Sequence, residues 1–117
     1  MTSQNPQGKM MELKNKKCVP CEGGIPKVNN EEAETLLKEL PGWALQGEKL
    51  FKLFKFKTFL KSIEFVNKMA QVAEGEGHHP NFCVNYNQVE VTIWTHAING
   101  LSENDFILAA KINSLQV

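Results

Sequence analysis

The sequence predicts an α+β fold, a four-stranded antiparallel sheet with three helices on one face, in the order αββαββα. Residues 43–57 and 82–95 each contain two stretches rich in aromatic and β-branched residues around a short polar turn, which is typical of a β-hairpin. Three other segments have apolar residues at helical spacing. Because hairpins build antiparallel sheets, which commonly pack only one face on a core, the helices are expected on a single side.

The composition describes one small domain without a nucleic-acid or membrane signature. The chain has 117 residues, a formal net charge of zero and thirteen basic residues, all of them lysine. The lack of arginine argues against base readout in a DNA groove, where bidentate guanidinium contacts are the commonest specific device. No apolar run approaches the roughly 20 residues that span a bilayer. We therefore expect no direct nucleic-acid partner and no membrane insertion.

Residues 1–28 are predicted to be a flexible extension, and residues 29–117 to form the domain. Residues 1–17 are polar and lack the apolar segment of a secretory signal, so we expect a cytoplasmic location, or an organelle if the N-terminus has been trimmed. The spacing of Cys18-Val-Pro-Cys21 is compatible with half of a zinc site, a redox pair or a structural turn. Zinc would need two more ligands from Cys83 or the histidines, and a redox motif should lie between a strand and a helix. Neither context is present, so a structural turn is favoured and no metal site is predicted.

The first helix is predicted over residues 29–40. An asparagine cap is followed by glutamates in the first turn, where the helix dipole favours negative charge, and then by leucines. Pro41-Gly42 ends this helix. The first hairpin follows, with its turn at residues 46–48 and a lysine-rich returning strand over residues 49–57. These lysines are expected to be solvated and to discourage edge-to-edge pairing, and a basic patch for an anionic partner is the alternative.

The second helix is predicted to begin after Thr58 as its cap and to end at Glu74-Gly-Glu-Gly77. Its core-facing stripe should consist of the apolar residues that recur at helical spacing, which are Phe59, Ile63, Val66, Ala70 and Ala73. The third helix is predicted to open with a capping box, in which Ser102 is the cap and Asp105 the acidic third residue. Its inward-facing residues should be Phe106, Ala109, Ala110 and Ile112.

The second hairpin, from about Phe82 to Thr95, carries a histidine to its open end. The returning strand alternates between an aliphatic face, formed by Val89, Val91 and Ile93, and a second face, formed by Glu90, Thr92, Trp94 and His96. Pro80 keeps His79 extended, so the adjacent imidazoles of residues 78 and 79 should diverge. With a turn around Tyr86-Asn87-Gln88, residues near 79 and 96 meet at the open end. The histidines are therefore expected to converge.

The concentration of all three histidines in one region is the first functional clue. Imidazole changes its charge near neutral pH, so such a cluster favours acid/base chemistry. A single histidine is more often structural, and a paired histidine can be half of a metal site. Because no aspartate stands at an obvious ligand spacing, acid/base catalysis is the favoured interpretation. Phe82 is expected in the core or a pocket wall, and Trp94 either stacks on a planar ligand or fills an interface.

One ordered set of residues in this region also carries a resemblance. It comprises Glu74-x-x-x-His78-His79-Pro80, then Phe82, Asn85, Tyr86, Val89 and Val91, then Thr95-His96, then Gly100-Leu-Ser-Glu-x-Asp105. In this order and spacing, the set resembles the signature of the pterin-4a-carbinolamine dehydratases, and the Cys-Val-Pro-Cys segment is similar to an extension in some members. The departures are Gly77 in place of an acidic residue, Phe82 in place of tryptophan, and Ala97-Ile98 in place of more polar residues. They bear on preference for the pterin side chain and leave the histidines intact.

The resemblance implies a hydro-lyase that dehydrates 4a-hydroxytetrahydropterin to quinonoid dihydropterin in tetrahydrobiopterin recycling, without a cofactor. By similarity, the catalytic residues are His78, His79 and His96. His78 and His96 would exchange protons with the departing hydroxyl or with N5, and His79 would bind and polarise the pterin. Glu74 and Asp105 would orient imidazoles by accepting hydrogen bonds. The residues lining the pterin would be His78, His79, Pro80, Thr95, His96, Ala97 and Ile98.

The resemblance also implies partners and an alternative function. Family members are commonly homotetramers, so a homo-oligomer, either a dimer or a tetramer, is expected. The pterin substrate would link the protein to an aromatic amino acid hydroxylase pathway. Some family members act as dimerisation cofactors for a homeodomain transcription factor, and other dehydratase-like proteins are assembly factors without catalysis. A non-catalytic interaction module with a relict pterin site is therefore the alternative.

Overall fold

The computed structural model describes residues 12–19 and 25–117; Cys21, the second member of the predicted cysteine pair, lies outside these ranges. The elements are, in order, a 3-10 helix at Leu13–Asn15, α1 (Asn30–Leu37), β1 (Ala44–Leu45), β2 (Leu50–Lys55), α2 (Phe59–Glu76), β3 (Asn81–Asn85), β4 (Gln88–Ile93), a 3-10 helix at His96–Ile98 and α3 (Glu103–Asn113). This order confirms the predicted α+β class and the αββαββα arrangement.

The four strands form one antiparallel sheet in the order β1-β2-β4-β3. The two central strands pair along their whole length, from Leu50 opposite Ile93 to Lys55 opposite Gln88. A two-residue turn joins β3 to β4, and Tyr86 takes a left-handed φ of 55° there. Asn81 pairs with Thr92 at the other end of this hairpin, so the residues before β3 and after β4 lie together. The predicted convergence at the open end follows from this register.

The core lies between the sheet and the helices, which cover one face. Strand β4 contributes its aliphatic face, with Val89, Val91 and Ile93 all 0% exposed. Helix α3 is buried over most of its surface, including the four residues predicted to face inward. Burying a side chain of this size contributes roughly 1.5–3 kcal/mol, so a continuous apolar face fixes the register of β4.

The predicted core stripe of α2 is only partly correct, because Ala73 is buried and Val66 packs against the core but the stripe as a whole lies elsewhere on the helix. The residues that are buried are Ser62, Phe65, Met69 and Ala73. Phe59, by contrast, is 47% exposed, and Ala70 is exposed as well. The helix has two adjacent apolar stripes, and the one with the larger side chains enters the core. Phe65 fills this space by packing on Phe54 and Phe56, with ring centroids 4.6 and 5.1 Å away.

The capping predictions are confirmed, whereas two element ends differ from the predictions. Asn29 and Glu32 form a capping box at α1, and Thr58 caps α2 through the N–H of Lys61. Helix α1 ends at Leu37, and the chain continues to Leu40 through tighter turns. Strand β4 stops at Ile93, so the residues that follow leave the alternation of the strand. They form a 3-10 helix that is closed by a left-handed Asn99 with φ 51°.

The segment of residues 12–19, which we call the N-terminal strap, packs on the domain. Leu13 is only 3% exposed and belongs to the hydrophobic core. Its 3-10 helix contacts α3, and the ammonium of Lys16 lies 2.6 Å from the carboxylate of Glu103. The strap therefore adds apolar contacts to α3. Within the described residues, no helix is long and apolar enough to cross a membrane.

Candidate active site

The end of α2 directs His78 into the interior. Gly77 ends the helix with a left-handed φ of 67°, and the His78 N–H then donates to the carbonyl of Ala73 at 3.2 Å. The His78 side chain reaches the start of α3, where its Nε2 lies 2.6 Å from Oδ1 of Asp105. His78 is 7% exposed and Asp105 is 0% exposed. These two predicted site residues therefore form a buried histidine–carboxylate pair.

Two groups besides the imidazole donate hydrogen bonds to the Asp105 carboxylate, so the buried charge is satisfied. The hydroxyl of Thr95 donates to Oδ2 at 2.8 Å, and the N–H of Ser102 donates to the same oxygen at 2.8 Å. Because the Thr95 proton points at Asp105, the Ser102 hydroxyl must donate to Thr95 Oγ, 2.8 Å away. The first turn of α3 also favours negative charge. The carboxylate is thus held in place by partners that suit its ionised form.

The carboxylate determines which ring nitrogen of His78 carries a proton. An ionised carboxylate only accepts hydrogen bonds, so His78 must donate from Nε2 to Asp105. A neutral His78 then has its lone pair on Nδ1, where it can accept a proton. When the ring is charged, the same Nδ1 becomes an acid. Asp105 thus fixes the tautomer and the orientation of the ring, as carboxylates do in catalytic triads.

His79 has a similar partner in a very different environment. Its Nε2 lies 2.7 Å from Oε1 of Glu74, which is in the last turns of α2. The side chain of His79 is 60% exposed and that of Glu74 is 80% exposed. Exposed pairs of this kind are screened by water and contribute little to stability. Because both side chains are largely exposed, this pair is accessible to a ligand that approaches from outside.

His96 lies on the surface at the start of the second 3-10 helix, in a stack of charged and aromatic groups. Its ring is parallel to that of Trp94, with centroids 4.2 Å apart and an interplanar angle of 23°. The ammonium of Lys49 lies 4.2 Å from the centroid of the Trp94 ring. Trp94 therefore supports the imidazole of His96. Trp94 is not among the residues that line the cleft or the adjoining pocket, and the two alternatives for it, stacking on a ligand or filling an interface, stay predictions.

The three histidines line one open cleft of about 370 Å³. Its walls are formed by the turn after α2 and by the first residues of the second 3-10 helix: Gly77, His78, His79, Pro80, Asn81, His96 and Ala97. This volume lies in the range of small-molecule sites, about 300–1,000 Å³. An adjoining apolar pocket of about 190 Å³ lies on the other side of His79 and Pro80, and Phe82 forms part of its wall. The structure thus brings together acid/base groups and a cavity.

Two predicted ring-lining residues lie away from the cleft surface. Thr95 is 1% exposed, and its hydroxyl points at the Asp105 carboxylate. Ile98 is half-buried and is not among the residues of the cleft wall. The reason is an isolated bridge between Thr95 and Gly100, which turns the chain inward directly after β4. Sequence reasoning also missed Ser102 as a partner of Thr95, although its predicted place in the capping box put it beside Asp105.

The described part of the Cys-Val-Pro-Cys segment behaves as a structural element. Burial, followed by the negative charge and hydrogen bonding of Glu76, raises the pKa of the Cys18 thiol to about 12. Cys18 is therefore a thiol at neutral pH, and it donates to the carbonyl of Asn104 at 3.6 Å. A redox cysteine needs a thiolate, which this environment disfavours. Within residues 12–19 and 25–117, no three His, Cys, Asp or Glu side chains are grouped closely enough to hold a metal ion.

Comparison with known families identifies relatives of this chain. Residues 26–115 match the family model described as pterin 4 alpha carbinolamine dehydratase. A protein of Nitrosomonas eutropha, provisionally named a pterin-4-alpha-carbinolamine dehydratase, is 50% identical over 107 residues, which are 91% of this chain and 95% of that protein. A protein of Rubrobacter xylanophilus with the same provisional name is 44% identical over 91% of this chain and 100% of its own length.

Two solved structures resemble the fold. A transcriptional coactivator/pterin dehydratase from Brucella melitensis has a TM-score of 0.73 and 36% identity, and the match covers 76% of this chain and 97% of that one. A pterin dehydratase-like protein identified as a RuBisCO assembly factor in the alpha-carboxysome has a TM-score of 0.56 and 25% identity, over 65% of this chain and 90% of that one. The same fold therefore occurs in proteins with a pterin dehydratase name and in one with an assembly role.

Proposed function

This chain belongs to the pterin 4 alpha carbinolamine dehydratase family, and we propose that it dehydrates 4a-hydroxytetrahydropterin to quinonoid dihydropterin by histidine acid/base catalysis. The reaction would serve tetrahydrobiopterin recycling. The observation that carries the proposal is the cleft shared by three histidines, two of which contact carboxylates at 2.6 and 2.7 Å. Oriented imidazoles are the groups that this proton chemistry needs.

The reaction is an elimination of water in which no electrons are gained or lost overall. The C4a–O bond breaks, the hydroxyl leaves as water after it receives a proton, and the proton on N5 is lost as the C4a=N5 double bond forms. The site therefore has to supply one proton and accept another. Histidine performs both tasks near neutral pH, so neither a metal nor a redox cofactor is needed for the proposed steps.

The proposed roles follow from the different surroundings of the three rings. His78, which is buried and held by Asp105, and His96, which is supported by Trp94, exchange protons with the departing hydroxyl or with N5. His79 is exposed beside Glu74 and binds and polarises the incoming pterin. The preorganised rings reduce the reorganisation needed at the moment of proton transfer.

The direct test is the rate of carbinolamine dehydration, with the substrate generated in the assay by an aromatic amino acid hydroxylase. Wild-type protein should accelerate the reaction, and His79→Ala should lose most of the acceleration, because positioned acid/base groups contribute about 10²- to 10⁴-fold in rate. Asn67→Ala, on the exposed side of α2, is the matched control and should retain activity. If the double variant of His79 and His96 turned over at the wild-type rate, the proposal would be wrong.

A second function is favoured by the similarity to the alpha-carboxysome assembly factor. In that case the fold would serve as an interaction module, and the cleft would be a relict pterin site. A partner recovered equally well by wild type and by His79→Ala, together with no dehydration by folded wild-type protein, would support the module. The buried pair of His78 and Asp105 favours the enzyme. Burying two ionisable side chains costs free energy, and apolar residues could fill the same space, so a protein that needed only an interaction surface would have no use for this pair.

We also propose the partners that this reaction implies. The substrate is a pterin, and an aromatic amino acid hydroxylase that forms 4a-hydroxytetrahydropterin must supply it. Both proteins would then share one compartment, either the cytoplasm or an organelle. Exposed apolar side chains on β2 and α2 are compatible with a homodimer or homotetramer; they include Leu53, Phe59 and Leu60, the last of which is 77% exposed. Sedimentation analysis of the purified protein would determine the number of subunits.

A further inference from the structure

The N-terminal strap makes a set of directed hydrogen bonds to the two elements that carry the buried histidine pair. The Cys18 N–H donates to Oε1 of Glu76 at 2.8 Å, in the last turn of α2. The Val19 N–H donates to Oδ1 of Asn104 at 2.9 Å, and Asn104 Nδ2 donates back to the Val19 carbonyl at 2.7 Å. Asn104 lies in the first turn of α3. Its side-chain amide therefore binds the backbone of Val19 as a neighbouring β-strand would.

The strap contacts residues that lie beside the His78–Asp105 pair in the sequence. Glu76 precedes His78 by two residues, and Asn104 is the neighbour of Asp105. The strap and the His78–Asp105 hydrogen bond thus connect the same two helix ends, α2 at its C-terminus and α3 at its N-terminus. Any change in the separation of these ends changes the 2.6 Å contact between the imidazole and the carboxylate.

The side chains on α2 and α3 that bind the strap are largely buried, whereas Val19 in the strap is 55% exposed. Asn104 is 1% exposed, and the side chain of Glu76 is 10% exposed. The carboxylate of Glu76 also forms an ion pair with the ammonium of Lys111, 3.4 Å away, and this pair links α2 to α3. Hydrogen bonds in such surroundings are stronger than at the surface and costly to leave unmade.

We propose that the N-terminal strap is part of the catalytic framework, with Asn104 and Glu76 acting as positioning residues that use it to set the geometry of the His78–Asp105 pair. The strap lies before residue 26, where the match to the family model begins. The inference rests on the proposed dehydratase function for its kinetic consequence. A misplacement of a catalytic group by less than an ångström lowers the rate while leaving substrate binding largely intact.

The test compares Val19→Pro with Val19→Ala. Proline removes the N–H that donates to Asn104, whereas alanine keeps that N–H and removes only a side chain that is 55% exposed. We expect Val19→Pro to lower kcat by up to about tenfold, the value of one hydrogen bond, with little change in KM, and Val19→Ala to match wild type. Glu76→Gln, which keeps an oxygen for the Cys18 N–H, should retain more activity than Glu76→Ala.

A spectroscopic measurement separates this inference from the proposed function. The side-chain NMR signals of His78 should move in Val19→Pro and stay in place in Val19→Ala, whether or not the protein is active. If wild type is active and Val19→Pro equals Val19→Ala in kcat and in the His78 spectrum, the strap has only a stabilising role and the inference is wrong. If wild type is inactive, the dehydratase proposal fails, and displaced His78 signals in Val19→Pro alone still establish the positioning.

Discussion

Replacing Asp105 by asparagine tests the central structural claim, that a buried carboxylate holds the site together. Asp105 accepts hydrogen bonds from His78, Thr95 and the Ser102 N–H, at 2.6, 2.8 and 2.8 Å. Hydrogen bonds to a charged group contribute about 1.5–3 kcal/mol each, so all three together would amount to roughly 5–9 kcal/mol if they were additive. Asparagine keeps the shape and one acceptor oxygen, and we therefore expect a loss of about 2–4 kcal/mol.

This loss is large for a chain of this size. A protein of 117 residues is stabilised by roughly 6–18 kcal/mol, so the variant should remain folded at room temperature while losing a substantial fraction of its free energy of unfolding. The NH₂ group of asparagine, if it faces His78, would donate to Nε2 and move the proton of the ring to Nδ1. Activity should then fall even under conditions in which the variant is fully folded.

Glu74→Gln is the matched control, because Glu74 contacts His79 at nearly the same distance but is 80% exposed. An exposed pair contributes at most about 1 kcal/mol, so the free energy of unfolding of the control should be close to that of wild type. Urea denaturation, followed by far-UV circular dichroism, measures both variants against wild type. Equal destabilisation by Asp105→Asn and Glu74→Gln would show that the burial of the carboxylate has no energetic importance, and the reasoning would fail.

Three further predictions concern the interior and the strap. Phe65→Ala should cost about 3–5 kcal/mol of unfolding free energy in urea titrations and Phe59→Ala much less, because only Phe65 is buried; similar costs would contradict the corrected stripe of α2. Iodoacetamide at neutral pH should alkylate the exposed Cys83 before Cys18, whose thiol pKa is raised to about 12, as peptide mass spectrometry would show. Although burial alone would raise the pKa of Glu76, the Cys18 N–H and the charge of Lys111 lower it below 4.5. Wild type should therefore have a larger free energy of unfolding than Glu76→Gln at neutral pH, and this difference should disappear as the pH falls below 4.5. Urea titrations at several pH values measure it, and a difference that did not change with pH would contradict the prediction.

The fold could be predicted because its signals are local. Caps such as Thr58 and the box of Ser102 and Asp105 are short sequence patterns, and the strict alternation of β4 leaves only one face that can be buried. The rotation of α2 about its axis could not be predicted in the same way. Two apolar stripes compete there, and the choice depends on Phe54 in β2 and on Phe56 just after that strand, both of which lie outside the helix.

The sequence predicted that the histidines would converge, but it could not predict which side chain each of them contacts. The resemblance implied orienting roles for two carboxylates, but only the folded chain pairs His78 with Asp105, 27 residues away. Thr95 shows the limit most clearly. A residue just beyond the end of a strand could point either way, and Thr95, which is bridged to Gly100, directs its hydroxyl inward to the carboxylate.

Asp105 both caps the start of α3 and binds the imidazole of His78. The position of the helix start and the position of the imidazole therefore depend on each other. As the third residue of α3 it accepts the Ser102 N–H, which fixes the start of the helix. With its other oxygen it binds His78, so any motion of the helix start moves the imidazole. A capping residue alone would tolerate fraying of the first turn, whereas the hydrogen bond to His78 is lost when this turn frays. Packing of the strap against the neighbouring Asn104 gives this turn the additional constraint that the second role requires.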